Sequence, residues 1–126
     1  MTGGASICVA ALLSLTLAGA GEGAAAQVET ARGAVLRGLD KLDGSVRDIT
    51  LDSGQEARFG GLLVRLRECR YPSGNPAGDA FAYLEITDLR KGDTPVFRGW
   101  MIASAPALNA LDHARHDVWV LRCNTD

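Results

Sequence analysis

From Ala34 onward the chain shows short apolar runs separated by turn residues, the pattern of a protein built from strands. Val35 to Leu39 is followed by Asp43-Gly44, and Val46 to Leu51, apolar at Val46, Ile49 and Leu51, by Asp52-Ser53-Gly54. Ala57 to Phe59 precedes Gly60-Gly61. The run Leu62 to Cys69 alternates, with Val64, Leu66 and Glu68 on one face and Leu63, Arg65, Arg67 and Cys69 on the other, an imperfect pattern that a helix also produces. Tyr71 to Asp79 reads as a loop, because Pro72, Gly74, Asn75, Pro76 and Gly78 leave no regular element intact. Phe81 to Leu89 alternates well, and Arg90-Lys91-Gly92-Asp93 turns it into Val96 to Ala103, a hairpin. Asp117 to Cys123 is the last strand, with Val118, Val120 and Arg122 opposite Trp119, Leu121 and Cys123. Between them, Ser104 to Leu111 fits one short helix: Ser104 is placed to cap it, Pro106 stands near its first turn, and Leu108 and Leu111 are three apart. The expectation is all-β, a small antiparallel β-sandwich or a partly closed barrel of six or seven strands with one short helix near the C-terminus.

The N-terminal part has a different grammar. Ala5 to Ala20 is an almost unbroken apolar run, too short for the roughly 20 residues of a membrane span. It leads through Gly21 to Gly23 into Ala24-Ala25-Ala26, the small-residue pattern of a secretory cleavage site, although Met1 to Gly4 lack Lys and Arg. Residues 1–26 are therefore expected to be a cleaved signal peptide, 27–33 a flexible lead-in and 34–126 a single β-rich domain, periplasmic or secreted, with no membrane span after signal removal. Cys8 lies early in the apolar run and not at its small-residue end, which speaks against a lipoprotein signal.

Charge and cysteines narrow the picture further. Loss of Glu22 with the signal leaves a formal charge of about −1, so neither nucleic acid, which calls for a basic stripe, nor an anionic membrane surface is an expected partner. Cys69 and Cys123 remain as an even pair in an oxidising compartment and are expected to form a disulfide, the alternative being two buried free thiols. No cofactor is expected and no metal site is assigned.

Candidate chemistry gathers in the C-terminal third, which holds both tryptophans and both histidines. Trp100, Ser104, Asn109, His113, Asp117 and Trp119 form a candidate binding surface, in which large rigid aromatics supply contact area and Asn109 a fixed polar contact. A hydrolase reading makes Ser104 the nucleophile, His113 or His116 the base and Asp112 or Asp117 the orienting carboxylate, but Ala103 and Ala105 flank Ser104 and there is no Gly-x-Ser-x-Gly elbow. Paired carboxylates at Asp112 and Asp117 for glycoside hydrolysis have a plainer reading as solvated or loop-bonding groups. His113 and His116 have the spacing of metal ligands without a secure third.

The stretch FRGWMIASAPALNALDHARHDVWVLRC, together with VLRGLDKLDG, RFGGLLVRLRECRY and AFAYLEI, resembles the bacterial domain of unknown function 2155 over about Val35 to Cys123. The match rests on Gly99-Trp100-Met101, Ala103-Ser104, Pro106, Leu108 to Leu111, Asp117 to Val120 and both cysteines; Ala105 and His116 depart from it. The resemblance implies an exported, disulfide-bonded protein and carries no activity with it. The function expected is a non-enzymatic envelope binding or adaptor module, its partner an envelope protein or cell-wall component. The alternatives are a small hydrolase using the Ser104 to Asp117 loop, and a purely structural envelope subunit.

Overall fold

The described residues form eight strands, not the six or seven expected: β1 (Val28–Thr30), β2 (Gly33–Asp40), β3 (Val46–Asp52), β4 (Glu56–Phe59), β5 (Leu62–Pro72), β6 (Phe81–Asp88), β7 (Pro95–Ile102) and β8 (His116–Asn124). The coordinates are a computed structural model that describes Gly4 and residues 27–126; the rest of the expected signal peptide lies outside the described residues. All pairings are antiparallel. One sheet runs β1-β5-β6-β7, with β4 also paired to β5, and the other runs β3-β2-β8. These are the two layers of a sandwich, and no closed barrel forms.

Alternation decides what faces inward. In β6, Ala82, Leu84 and Ile86 are fully buried while Phe81, Tyr83, Glu85 and Thr87 are only half-buried. Leu62, Val64 and Leu66 of β5 meet them from the same sheet, and Leu36, Ile49, Val118 and Val120 close the core from the other. Cys69 and Cys123 are bonded to each other, tying β5 of one sheet to β8 of the second. A strict period of two does not put both sulfurs inside. In β5 the pairing passes from Leu66↔Leu84 to Glu68↔Tyr83, leaving Arg67 as an extra residue, and in β8 it passes from Val120↔Leu36 to Arg122↔Val35, leaving Leu121 extra. Each bulge reverses the alternation just before a cysteine, so Cys69 joins Leu62, Val64 and Leu66, and Cys123 joins Val118 and Val120.

Three expectations are corrected. Residues 27–33 are not a flexible lead-in outside the core: Val28–Thr30 pair with Arg70 to Pro72, and Ala31 is buried. That pairing also draws Tyr71 and Pro72 into β5, so the loop expected from Tyr71 starts only at Ser73. The short helix at Ser104 to Leu111 does not form. Ser104, the expected cap, gives both its N–H and its hydroxyl hydrogen to Asp79. The chain then makes isolated turns, Ala105 N–H to Ile102 O and Leu108 N–H to Ala105 O. Of the two leucines meant for the apolar face, Leu111 is buried and Leu108 is 75% exposed, so no common face exists to stabilise so short a helix. No helix among the described residues is long and apolar enough to cross a membrane.

Candidate functional site

The segment from Ala103 to Arg115 joins β7 to β8, which are edge strands of the two different sheets. With so little regular structure it needs other anchors, and short polar side chains supply them. Asp79, from the loop between β5 and β6, accepts the Ser104 N–H at 2.9 Å and the Ser104 Oγ–H at 2.6 Å, and also the Ala80 N–H. Burial works against the Asp79 carboxylate, yet these donors outweigh it and hold its pKa below the ordinary value. Asn109 donates through Nδ2 to the Trp100 carbonyl at 2.9 Å, capping an outward group of an edge strand. The neighbouring residue is Gly99 for a steric reason: a Cβ there would lie 2.8 Å from Asn109 Nδ2.

His113 is the third anchor. Its Nδ1 accepts the backbone N–H groups of Arg115 and His116, which assigns the ring proton to Nε2, and Nε2 donates to Asp88 Oδ2 at 2.9 Å. That bond lowers the pKa of Asp88, whose other oxygen accepts the Arg90 N–H. Lys41 completes the fastening, its Nζ donating to the His113 carbonyl and its N–H to the Arg115 carbonyl.

These bonds separate the residues that a hydrolase would bring together. Ser104 is bonded to Asp79 and His113 to Asp88, and among the described residues no hydrogen bond joins Ser104 to either histidine. Asp112 is exposed and Asp117 half-buried, and neither accepts a histidine N–H. Both nitrogens of His113 are already engaged by the protein, so a metal ion would have to displace one of these bonds.

What the anchored loop does create is a cleft of about 400 Å³ against β8. Pro106, Ala107 and Ala110 form one wall, and Asp117, Val118 and Trp119 the other. Trp119 and Asp117 thus belong to a surface, while Ser104, Asn109 and His113 hold its frame. Trp100 stands elsewhere, on the outer face of β7, its ring edge-on to Tyr83 at 5.3 Å. Asp79 and Asp88 escaped sequence reasoning because each lies 25 residues from its partner. The small residues Pro106, Ala107 and Ala110 carry no chemical signal at all.

His116 marks a second concavity. Its ring is 3% exposed, stands edge-on to Phe59 at 5.3 Å and has Nε2 3.9 Å from Asp40 Oδ2; Nδ1 is buried without a partner among the described residues. Asp40, Ser45, Arg47, Phe59 and Gly60 line the adjoining cleft of about 420 Å³. Desolvation pushes the His116 pKa below its ordinary value of 6.5, despite the nearby Asp40. In the unfolded chain this histidine takes up a proton as pH falls through about 6.5, and in the folded protein only at lower pH. The unfolded state then binds more protons, so stability is expected to drop from about pH 6.5 downward, before protonation of the Asp79 and Asp88 carboxylates removes their contribution below about pH 4. Melting temperatures at pH 7.5, 5.5 and 4 check this; His116→Phe should flatten the upper part of the curve.

Comparison with known proteins places the chain without assigning an activity. It is 25% identical over 87 residues to the uncharacterized protein RP359 of Rickettsia prowazekii (strain Madrid E), a match covering 68% of this chain and 56% of that protein. The chain thus spans little more than half of the relative's length. No solved structure matches significantly. A family model described as an uncharacterized protein conserved in bacteria, the domain of unknown function 2155, matches residues 34–123, and the chain belongs to that family.

Proposed function

We propose that this domain is a non-catalytic binding module of the bacterial envelope, which holds an extended segment of another protein in the cleft between β8 and the Pro106–Ala110 wall. One observation carries the reading. Val118 of the edge strand β8 lines the cleft although it belongs to the core and is only 1% exposed, and half-buried Asp117 and Trp119 flank it there. Three consecutive residues of an edge strand, Asp117 to Trp119, line the cleft, and an edge strand facing a separate wall suits strand addition. The opposite wall is apolar and small, which leaves room for alternate side chains of the added segment. Three side-chain anchors and Leu111 hold that wall before any partner arrives, which lowers the ordering cost of binding. Export, expected from the N-terminal segment, and the disulfide are consistent with an envelope location.

The test is capture from envelope extract by immobilised protein, with Ala110→Glu and Trp119→Ala beside the wild type. Ala110 is exposed and Trp119 half-buried, so both variants should melt close to the wild type while a partner held by the wild type is lost from each. A partner retained by both variants would remove the cleft from consideration, and turnover of an envelope substrate abolished by Ser104→Ala would replace this reading with the hydrolase.

A further inference from the structure

We infer that the outer face of the β5-β6-β7 sheet is a second binding surface, remote in composition from the cleft, and that its ligand is an acidic polysaccharide. Register defines the face. Across the three strands, Glu68, Tyr83 and Trp100 form one row, and Arg65, Glu85 and Arg98 the next, with Arg67 at the bulge and Arg70 at the end of β5. Four arginines and two carboxylates therefore share it, an excess of positive charge on a chain whose formal net charge is −2. Every cation among these is arginine, whose planar fork matches a carboxylate bidentately where lysine offers only a point charge.

The internal pairing leaves this charge unfinished. Glu85 serves both Arg67 at 3.1 Å and Arg98 at 3.5 Å, and Glu68 serves Arg70 at 2.9 Å. Arg65 makes no ion pair among the described residues, and its Nε is buried with no hydrogen-bond partner there. Glu56 of β4 stands opposite Arg65 in the register without closing an ion pair, and because a guanidinium stays charged at any ordinary pH, a buried N–H on it gains from an added acceptor. Beside the arginines lie half-buried aromatic rings: Tyr83 packs edge-on to Trp100, and the Arg70 guanidinium lies 5.1 Å from the Trp100 ring centre. Such rings take the C–H face of a sugar, at Trp100 once the Arg70 guanidinium turns from the ring to a ligand carboxylate.

Three features together select the ligand. The arginines call for carboxylates, and the rings call for flat apolar faces. Glu68 and Glu85 inside the patch accept hydrogen bonds from hydroxyls but repel the closely spaced phosphates of a nucleic acid. A chain of uronic acids carries carboxylates, hydroxyls and C–H faces on every unit. Rows of side chains about 4.8 Å apart from strand to strand suit a repeating ligand lying across the strands.

Binding of the protein to polygalacturonate, measured beside neutral dextran, polyglutamate and oligothymidylate, decides the matter. The expected result is binding to polygalacturonate alone, weakening with added salt and falling roughly tenfold in the double variant Arg65→Gln, Arg98→Gln, with Tyr83→Ala as the aromatic counterpart. The Ala110→Glu cleft variant should bind polygalacturonate as the wild type does, which separates this surface from the cleft. Equal binding to polyglutamate or oligothymidylate overturns the carbohydrate assignment, and absence of polygalacturonate binding by protein with an unchanged melting curve overturns the surface itself.

Discussion

Replacing Cys69 and Cys123 by serine is expected to lower stability by about 4 kcal/mol, the chain-entropy value for a loop closed across a sequence separation of 54. For a domain of this size that corresponds to a fall in Tm on the order of 20 °C. The location of the bond adds to the argument. The two strands it joins belong to different sheets, and both sulfurs sit in a core otherwise made of apolar side chains, Leu, Val, Ile and Ala with Phe59, Phe97 and Met101. A serine hydroxyl at either place is a polar group without an evident partner, so the substitution costs burial as well as the crosslink. Urea melts of the wild type with and without reductant separate the two contributions, because reduction removes the bond and keeps the sulfur. An unchanged midpoint under reducing conditions would mean that hydrophobic packing alone holds the sheets together.

The second large effect is expected at Gly60, in the turn between β4 and β5. Its φ is +58°, a backbone conformation that costs an L side chain about 1 kcal/mol or more. A Cβ there would also lie 2.4 Å from His116 Nε2 and 2.7 Å from its Cε1. His116 gives way only by breaking its packing, since it is 3% exposed and held between Phe59 and His113. Gly60→Ala should therefore lose about 3 kcal/mol, the sum of the backbone cost and the overpacking. Gly61→Ala is the natural control, because its Cβ would meet only the end of the exposed Arg90 side chain and its φ is ordinary. A double-mutant cycle of Gly60→Ala with His116→Ala isolates the collision: the steric part should vanish in the double variant and the φ cost remain. If Gly60→Ala melts like Gly61→Ala, the packing of His116 described above is wrong.

Much of this fold was legible because the signals were local. Val46 to Leu51, Ala57 to Phe59, Phe81 to Leu89 and the hairpin into Val96 each carry their own alternation and turn residues, and all became strands. β1 was missed for a physical reason. Val28, Glu29 and Thr30 are exposed, so no apolar pattern marks them; they are a strand because β5 extends far enough to pair with them. The false helix at Ser104 to Leu111 shows the reverse error. Its local signals were genuine, but Asp79 claimed the capping serine and Asn109 bonded back to β7, and these contacts outweigh a weak propensity.

The candidate site divides along the same line. Trp119 and Asp117 stand out in the sequence by their chemistry and line the cleft, whereas Ser104, Asn109 and His113 stand out for the same reason and are hydrogen-bonded within its frame. A side chain's capacity to hydrogen-bond is written in the sequence, but the partner that uses it is not.

Taken by itself, the sequence determined the all-β class, most of the strands, the turn at Arg90 to Asp93 and, with Cys8 assigned to the expected signal peptide, an even pair of cysteines able to bond. These depend on alternation, on turn chemistry and on parity, all of which act within a few residues or within composition. Only the tertiary structure decided the two bulges, at Arg67 and Leu121, that turn both cysteines inward, the pairing of β1, the anchors at Asp79 and Asp88, and the arginine-rich face assembled from three strands. Each of those is set by the register between segments distant in the chain, and a shift of one residue sends every following side chain to the opposite face.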